Sequence, residues 1–322
     1  MGEHFDTLIM TTPKDYERLA MLHRRIVDHI PYGRLIFVGN ADVVRMVGER
    51  EKDERITAID EETLIPFADV HACITKKMED VLAGRELPRG ITGWHYQQFL
   101  KMAYALQCEN EYYMTWDGDT IPCRTVNMFQ AESGKPYFDL KHEYHEEYFH
   151  TMERLLPGMT KVIGRSFISE HMLFRKDIVQ GLIRDIEAND NLSGTVFWEK
   201  VIDAIALEEL QESAFSEFET YGTYVALKHN SAYMLREWTS FRLGGNFFDP
   251  ETICDRDFEW LGKDFDAISF ENGCEVREDH KNLFDNPEYQ EKLSARQMLQ
   301  VAQEAFTDGW TEAFGEDEIR VV

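Results

Sequence analysis

The opening of the chain alternates short apolar runs with helical spacing, and this order constrains the fold more than any other feature. Phe5 to Thr11 is apolar and β-branched around Leu8, Ile9 and Met10 and ends in Thr11-Thr12-Pro13, which reads as a buried first strand. Tyr16, Leu19, Leu22, His23 and Ile26 recur at helical spacing until Ile30-Pro31 stops the pattern. Strand-like runs return at Arg34 to Val38, closed by Gly39-Asn40, and at Arg55 to Ile59. Strand, helix, strand with short turns predicts a parallel sheet covered by helices.

Beyond that start, Ala68 to Leu106 is mostly helical with a break at Pro88-Arg89-Gly90, and a fourth strand runs from Glu111 to Trp116. Helical patterns follow at Phe174 to Glu187 and Val196 to Leu210, then a strand-like Thr223 to Leu227. Asn286 as N-cap and Pro287 as first helical residue open a last helix through about Phe306. No repeat, low-complexity tract or linker is evident, which favours one elaborated domain over two separable ones. The expected division is a catalytic part over 1–250, with halves of about 1–125 and 126–250, and a mainly helical extension over 251–322.

Charge narrows the partners. Of 322 residues 60 are acidic and 34 basic, a formal net charge of -26. Such a field repels nucleic acid and anionic lipid surfaces unless a local cluster overrides it, so no nucleic-acid partner is expected. A small anionic substrate would need a shielding cation. No apolar run approaches the roughly 20 residues of a membrane span, and Met1 to Asp6 does not read as a secretory signal. The expected location is the cytoplasm, with attachment to the inner membrane through a partner left open. The five cysteines are scattered and form no Cys-x-x-Cys pair, which argues against disulfides and thiolate zinc.

The sharpest chemical signal is the turn Asp117-Gly118-Asp119 after the fourth strand. Two carboxylates flanking a glycine suit Mg²⁺ or Mn²⁺ bound together with a diphosphate. Asp-Gly-Asp is also ordinary turn chemistry, and the preceding strand and early βαβ pattern are what favour function. The segment after it lacks the alternating oxygen ligands of a calcium loop, and no glycine-rich phosphate cradle opens either early helix.

Thr11-Thr12-Pro13-Lys14-Asp15, the segment Gly93-Trp94-His95-Tyr96-Gln97-Gln98-Phe99-Leu100-Lys101 and the Asp117-Gly118-Asp119 turn together resemble a GT-A fold glycosyltransferase with its Asp-x-Asp motif. The likeness is greatest to bacterial relatives that modify surface polysaccharides and covers roughly residues 5–245. It implies an α/β, Rossmann-like, mostly parallel sheet flanked by helices, with a helical C-terminal extension. It further implies that Asp117 and Asp119 hold Mn²⁺ or Mg²⁺ on the diphosphate of a nucleotide sugar. Thr11, Asp15, Gln98, Lys101, Asp117 and Gly118 would then contact the donor.

Four further stretches are candidates. In inverting members of the group an acidic residue late in the catalytic part takes the acceptor proton, which the resemblance assigns to Glu217 within Phe215 to Gly222, with Glu219 second. The competing reading is that alternating Phe215, Glu217 and Glu219 decorate a solvated helix or strand, and for Gln98 and Lys101 a solvated or helix-pairing face. Asp139 to His150 is dense in His, Glu and Tyr without zincin spacing, and suits sugar hydroxyls through His145 and Glu146. Glu170 and His171 are also placed on the acceptor side. His171, His229 and His280 compete as a third metal ligand. Trp238 to Asn246, with Arg242 and Gly244-Gly245, reads as a mobile segment closing over diphosphate.

These readings describe a metal-dependent transferase moving a sugar from a nucleotide diphosphate to a carbohydrate acceptor in polysaccharide biosynthesis, by direct displacement with inversion. The rivals are a metal-dependent nucleotidyltransferase and a non-catalytic carbohydrate-binding scaffold on a transferase fold.

Overall fold

A computed structural model describes residues 4–305 apart from 143, 212, 213, 279 and 281. The chain starts with β1 (Phe5–Met10), α1 (Pro13–Arg18) and α2 (His23–His29), followed by β2 (Leu35–Gly39), α3 (Ala41–Arg50) and β3 (Ile56–Asp60). Next come α4 (Phe67–Lys77), α5 (Glu79–Leu82), α6 (Arg89–Ala103), β4 (Tyr112–Trp116), β5 (Thr120–Pro122) and β6 (Tyr137–Leu140). The middle is α7 (Glu146–Leu155), β7 (His171–Arg175), α8 (Lys176–Glu187), α9 (Phe197–Ala204) and α10 (Glu217–Lys228). The last part holds β8 (Met234–Glu237), β9 (Ser240–Phe241), α11 (Asp255–Leu261), β10 (Ala267–Ser269), α12 (Pro287–Gln290) and α13 (Ala295–Ala305).

Two compact units result, each drawn from three separate stretches of chain. The first takes Tyr32–Trp116 and Met128–Arg236 together with the start of the chain to Pro13, and the second takes Lys14–Pro31, Asp117–Asn127 and the residues from Glu237 on. In the first, five strands in the order β3-β2-β1-β4-β7 form a mixed sheet. β1 to β4 are mutually parallel, and β7 alone runs antiparallel, against β4. This is the α/β architecture with a mostly parallel sheet flanked by helices that the strand-helix-strand start predicts.

The strands of the sheet centre are buried along almost their whole length because both faces are covered. Leu8, Ile36, Val38, Tyr113, Met172 and Phe174 belong to one buried cluster with α4, α6, α8, α9 and α10. In the second unit β5, β10 and β9 form a small sheet. Its core is aromatic: Phe241 meets Phe247 at 5.1 Å and Phe265 at 5.2 Å between ring centroids, and Phe247 meets Phe284 at 4.6 Å.

Several expected elements differ in detail. Thr223 to Leu227 is helical, within α10, whose residues from Glu217 to Val225 are all buried. A helix covered on every side has no polar face, so its sequence loses the helical period and its Thr, Tyr and Val residues mimic a strand. Phe174 and Arg175 end β7 before α8 begins, and the stretch expected as one helix over Val196 to Leu210 stops at Ala204. The early helix is two short ones, α1 and α2. The Asn286 side chain does accept the Glu288 N–H and Pro287 does open a helix, but that helix closes at Gln290. α13 then runs to Ala305, and Phe306 lies outside the described residues. Among the described residues no helix is long and apolar enough to cross a membrane.

Candidate functional site

In the first unit, the amino end of α10 gathers four of the residues singled out in the sequence. Ser216 is its N-cap, accepting the Glu219 N–H at 3.2 Å, and the helix dipole favours the two acidic side chains of the first turn. Glu217 and Glu219 are both buried. The Glu217 main-chain N–H donates to Gln98 Oε1 at 3.2 Å. Its carboxylate takes the Lys101 ammonium at 2.7 Å, Nζ to Oε1, off the ideal hydrogen-bond direction. Lys101 Nζ also lies 4.3 Å from the centre of the Phe218 ring. Gln98 and Lys101 fall on one face of α6 because their spacing is close to one helical turn.

Glu219 is fixed on the other side of the same turn. Its Oε2 accepts from Ser166 Oγ at 2.6 Å and from the Phe167 N–H at 3.0 Å, and Lys161 Nζ stands 3.8 Å from Oε1. Lys161 in turn lies over the rings of Tyr144 and Phe149. Ser166 is bridged to Lys141 by paired main-chain hydrogen bonds, which carries the network to the next group of charges.

That group stands beside the carboxyl end of β4. Lys141 Nζ meets Glu170 Oε1 at 2.5 Å, with both side chains buried. Glu170 has φ +61, the left-handed region that costs a non-glycine residue about 1–2 kcal/mol. The next residue, His171, pairs in register with Trp116 and stacks on its ring at 4.9 Å. His171 Nε2 is 2.8 Å from Asp139 Oδ2, and Nδ1 is 2.9 Å from the Ser169 carbonyl. Arg236 completes the cluster, donating to both Asp139 oxygens at 2.5 and 2.6 Å. Burial alone would raise the Asp139 pKa, but the hydrogen bonds from Arg236 and His171 outweigh it and hold the carboxyl below its ordinary value. Both His171 ring nitrogens are engaged inside the protein.

Of the expected acceptor residues, the structure therefore places Glu170 and His171 in the buried network. His145 and Glu146 sit at the exposed start of α7, where His145 faces Glu147 at 3.7 Å and Glu146 faces His150 at 3.8 Å. Thr11 follows β1 and extends its pairing, its N–H donating to the Val38 carbonyl at 2.9 Å. Asp139 and Lys141 open the stretch over 139–150 without a role assigned from sequence, and Arg236 lies outside every stretch singled out. Asp139 lies on β6 and Lys141 directly follows that strand, but Arg236 comes 97 positions after Asp139.

Asp117 is the next residue in the chain after β4. Within the second unit the Asp117 carbonyl accepts the Thr120 N–H at 3.0 Å, and the Asp119 carbonyl accepts the Phe270 N–H at 2.7 Å. Thr120 Oγ1 donates to Asp119 Oδ1 at 3.3 Å. Both carboxylates are half-buried. Among the described residues no group of three or more His, Cys, Asp or Glu forms a metal cage. Two carboxylates half open to water still fit Mg²⁺ or Mn²⁺, which keep several waters and take one or two carboxylates together with substrate phosphates. Asp15, on α1 of the same unit, accepts from Asn272 Nδ2 at 3.0 Å.

The stretch from Trp238 to Asn246 has a packing role. Arg242 Nε donates to Glu271 Oε1 at 2.7 Å, and the Leu243 N–H donates to the other oxygen of the same carboxylate. Gly244 is buried, and a Cβ there would fall 2.4 Å from Ile268 Cγ1. Close approach, not freedom of motion, is what this glycine supplies. His280 stacks on Phe247 at 4.5 Å, its Nδ1 3.0 Å from the Asn246 carbonyl.

Among solved structures the chain is similar to apo mouse xyloside xylosyltransferase 1, at 11% identity and a TM-score of 0.39 over 85% of this chain and 99% of that one. It is similar to the galactosyltransferase LgtC in complex with donor and acceptor sugar analogs, at 10% identity and a TM-score of 0.39 over 84% of this chain and 91% of that one. An active-site mutant of LgtC matches at 10% identity and a TM-score of 0.37, over 86% of this chain and 93% of that one. No curated protein matches the chain. Residues 8–243 match the family described as a family of unknown function, DUF6492, and with most of its length so matched the chain belongs to that family.

Proposed function

We propose that this protein is a metal-assisted glycosyltransferase that moves a sugar from a nucleotide-diphosphate sugar to a carbohydrate acceptor in polysaccharide biosynthesis. The observation that carries the reading is the point at which the acidic turn leaves the sheet. In the order β3-β2-β1-β4-β7 the chain builds outward from β1 on one side and then crosses to β4 on the other. Open parallel sheets take their ligands outside the carboxyl ends of the strands at such a switch point. Thr11 is the residue after β1, and Asp117-Gly118-Asp119 are the residues after β4.

A divalent cation held by Asp117 and Asp119 would supply positive charge to the departing diphosphate, in a chain whose own net charge is -26. Asp15 and Gly118 belong to the donor side in this reading. His145, Glu146, Glu170 and His171 belong to the acceptor side. Gln98 and Lys101 hold Glu217 in position, one through its main-chain N–H and the other through an ion pair. A general base must come within hydrogen-bond reach of the hydroxyl it deprotonates, so Glu217 acts as base only where the acceptor displaces the Lys101 ammonium. Glu219 is held by two donors and is the second choice.

The test is a thermal-shift screen of nucleotide sugars with and without Mn²⁺, because a ligand bound to the native state raises Tm by mass action. One donor should stabilise the protein only when metal is present, and Asp119→Ala should abolish both that shift and sugar transfer. Transfer that survives Asp119→Ala sinks the proposal. As base, Glu217 should lose about 10² to 10⁴ in kcat on change to Gln with KM little altered. An unchanged kcat would leave Glu217 a purely structural partner of Lys101.

A further inference from the structure

At the amino end of β4, the first unit carries a concavity of about 480 Å³ lined by Tyr112, Lys135, Arg175, Lys228, His229 and Ser231 among others. Tyr112 opens β4 and pairs in register with Arg175, the last residue of antiparallel β7. The Met234 N–H donates to the Pro136 carbonyl at 2.8 Å, which sets the turn over 229–232 beside the loop that holds Lys135. With a rise of about 3.3 Å per residue, Tyr112 lies roughly 13 Å from Trp116 at the other end of the strand. The concavity is thus remote from the carboxyl end where Asp117 begins.

Its charge runs against that of the whole chain. Three cations line it and no carboxylate does. Arg175 donates through Nε and Nη2 to Asp177 at 2.7 and 2.9 Å, which leaves Nη1 without a partner among the described residues. Lys228 Nζ rests on Asp185 at 2.6 Å and lies 4.7 Å from the centre of the Tyr224 ring. The Lys135 hydrogen bonds run through its main chain, and its ammonium has no ion-pair or hydrogen-bond partner among the described residues. Asp177 and Asp185, which are not among the lining residues, offset two of the three charges, so the lining keeps a positive excess. In a chain of net charge -26 an uncompensated ammonium and a guanidinium N–H in one lining are groups that suit an oxyanion. The space exceeds what one phosphate fills, and Tyr112 with the hydroxyl and amide of the 229–232 turn offers the aromatic wall and polar contacts that a sugar ring uses.

We propose that this concavity binds a phosphorylated sugar, with the phosphate on Lys135 and Arg175 and the ring toward Tyr112 and Ser231. The site shares no residue with the Asp117-Asp119 turn and does not depend on the transferase reading. It lets an acidic protein hold an anionic ligand without a metal.

Isothermal titration of the full chain, metal-free, with glucose 6-phosphate, inorganic phosphate and glucose tests it. Glucose 6-phosphate should bind, inorganic phosphate more weakly, and glucose not at all. Lys135→Glu should weaken glucose 6-phosphate by at least about tenfold, the size of one charge-assisted hydrogen bond. Lys135→Ala should act in the same direction with an unchanged unfolding midpoint, and Asp119→Asn should leave the affinity alone. Absence of binding at millimolar concentration, equal binding of glucose, or indifference to both Lys135 variants would overturn the proposal. So would binding to vesicles of phosphatidic acid in phosphatidylcholine through Lys135 without binding of the sugar phosphate, which would make the site a lipid contact.

Discussion

Lys101 and Glu217 form a buried ion pair across α6 and α10, with nitrogen and oxygen 2.7 Å apart and side chains only 7% and 4% exposed. Two desolvated charges recover their solvation cost only through each other and nearby dipoles. Lys101→Met alone, which strands the Glu217 carboxylate, should cost about 3 to 5 kcal/mol in urea unfolding. The double change with Glu217→Met should recover most of that loss. Losses that simply add would mean the two groups do not stabilise each other.

Gly222 marks the tightest approach of α10 to the loop that positions Glu219. A Cβ at this position would lie 2.1 Å from Phe167 Cγ, inside a buried ring that cannot swing out to solvent. Gly222→Ala should therefore destabilise by about 1–3 kcal/mol through overpacking. This outweighs the ordinary helical advantage of alanine over glycine, which is about 1 kcal/mol. A more stable Gly222→Ala protein by thermal unfolding would contradict the packing described.

Asp139 makes stability depend on acid. Burial acts to raise its pKa, but Arg236 and His171 together bring it below the ordinary 3.8. A depressed folded value means stability that is complete above the unfolded pKa and lost as pH falls through the folded one. Asp139→Asn should lower stability at neutral pH and flatten its decline below about pH 4. Parallel pH profiles for wild type and variant would show that the carboxylate is not what the cluster depends on.

Glu61 works with the opposite sign. Burial, together with neighbouring Glu62 and Asp60, pushes its carboxyl from 4.5 up to about 7. A raised folded pKa gives stability that is full below pH 4.5 and declines as pH rises to about 7. Glu61→Gln, which cannot ionise, should raise the unfolding midpoint at pH 8 relative to wild type and change it little at pH 4. An equal effect at both values would assign the change to something other than the charge.

What the linear chain determined by itself is local. Apolar runs at Leu8 to Met10, Arg34 to Val38 and Arg55 to Ile59 between helical repeats require a parallel, helix-covered sheet, since such strands cannot leave either face in water. Asp117-Gly118-Asp119 likewise announces a turn by its composition alone, and the strand before it is what turns the two carboxylates into a proposed cation site. Tertiary structure decided the rest. α10 was illegible because burial on every side removes the polar face on which helical periodicity depends. The meeting of Asp139 with Arg236, and of Lys101 with Glu217, rests on strand order and helix packing between positions about a hundred residues apart, for which the sequence carries no local signal. The division into two units is equally tertiary, since each is assembled from three stretches and no linker marks the boundary. Net charge is additive along a chain and so could be read at once, but the cations at Lys135, Arg175 and Lys228 become a patch only when the sheet brings them to one end.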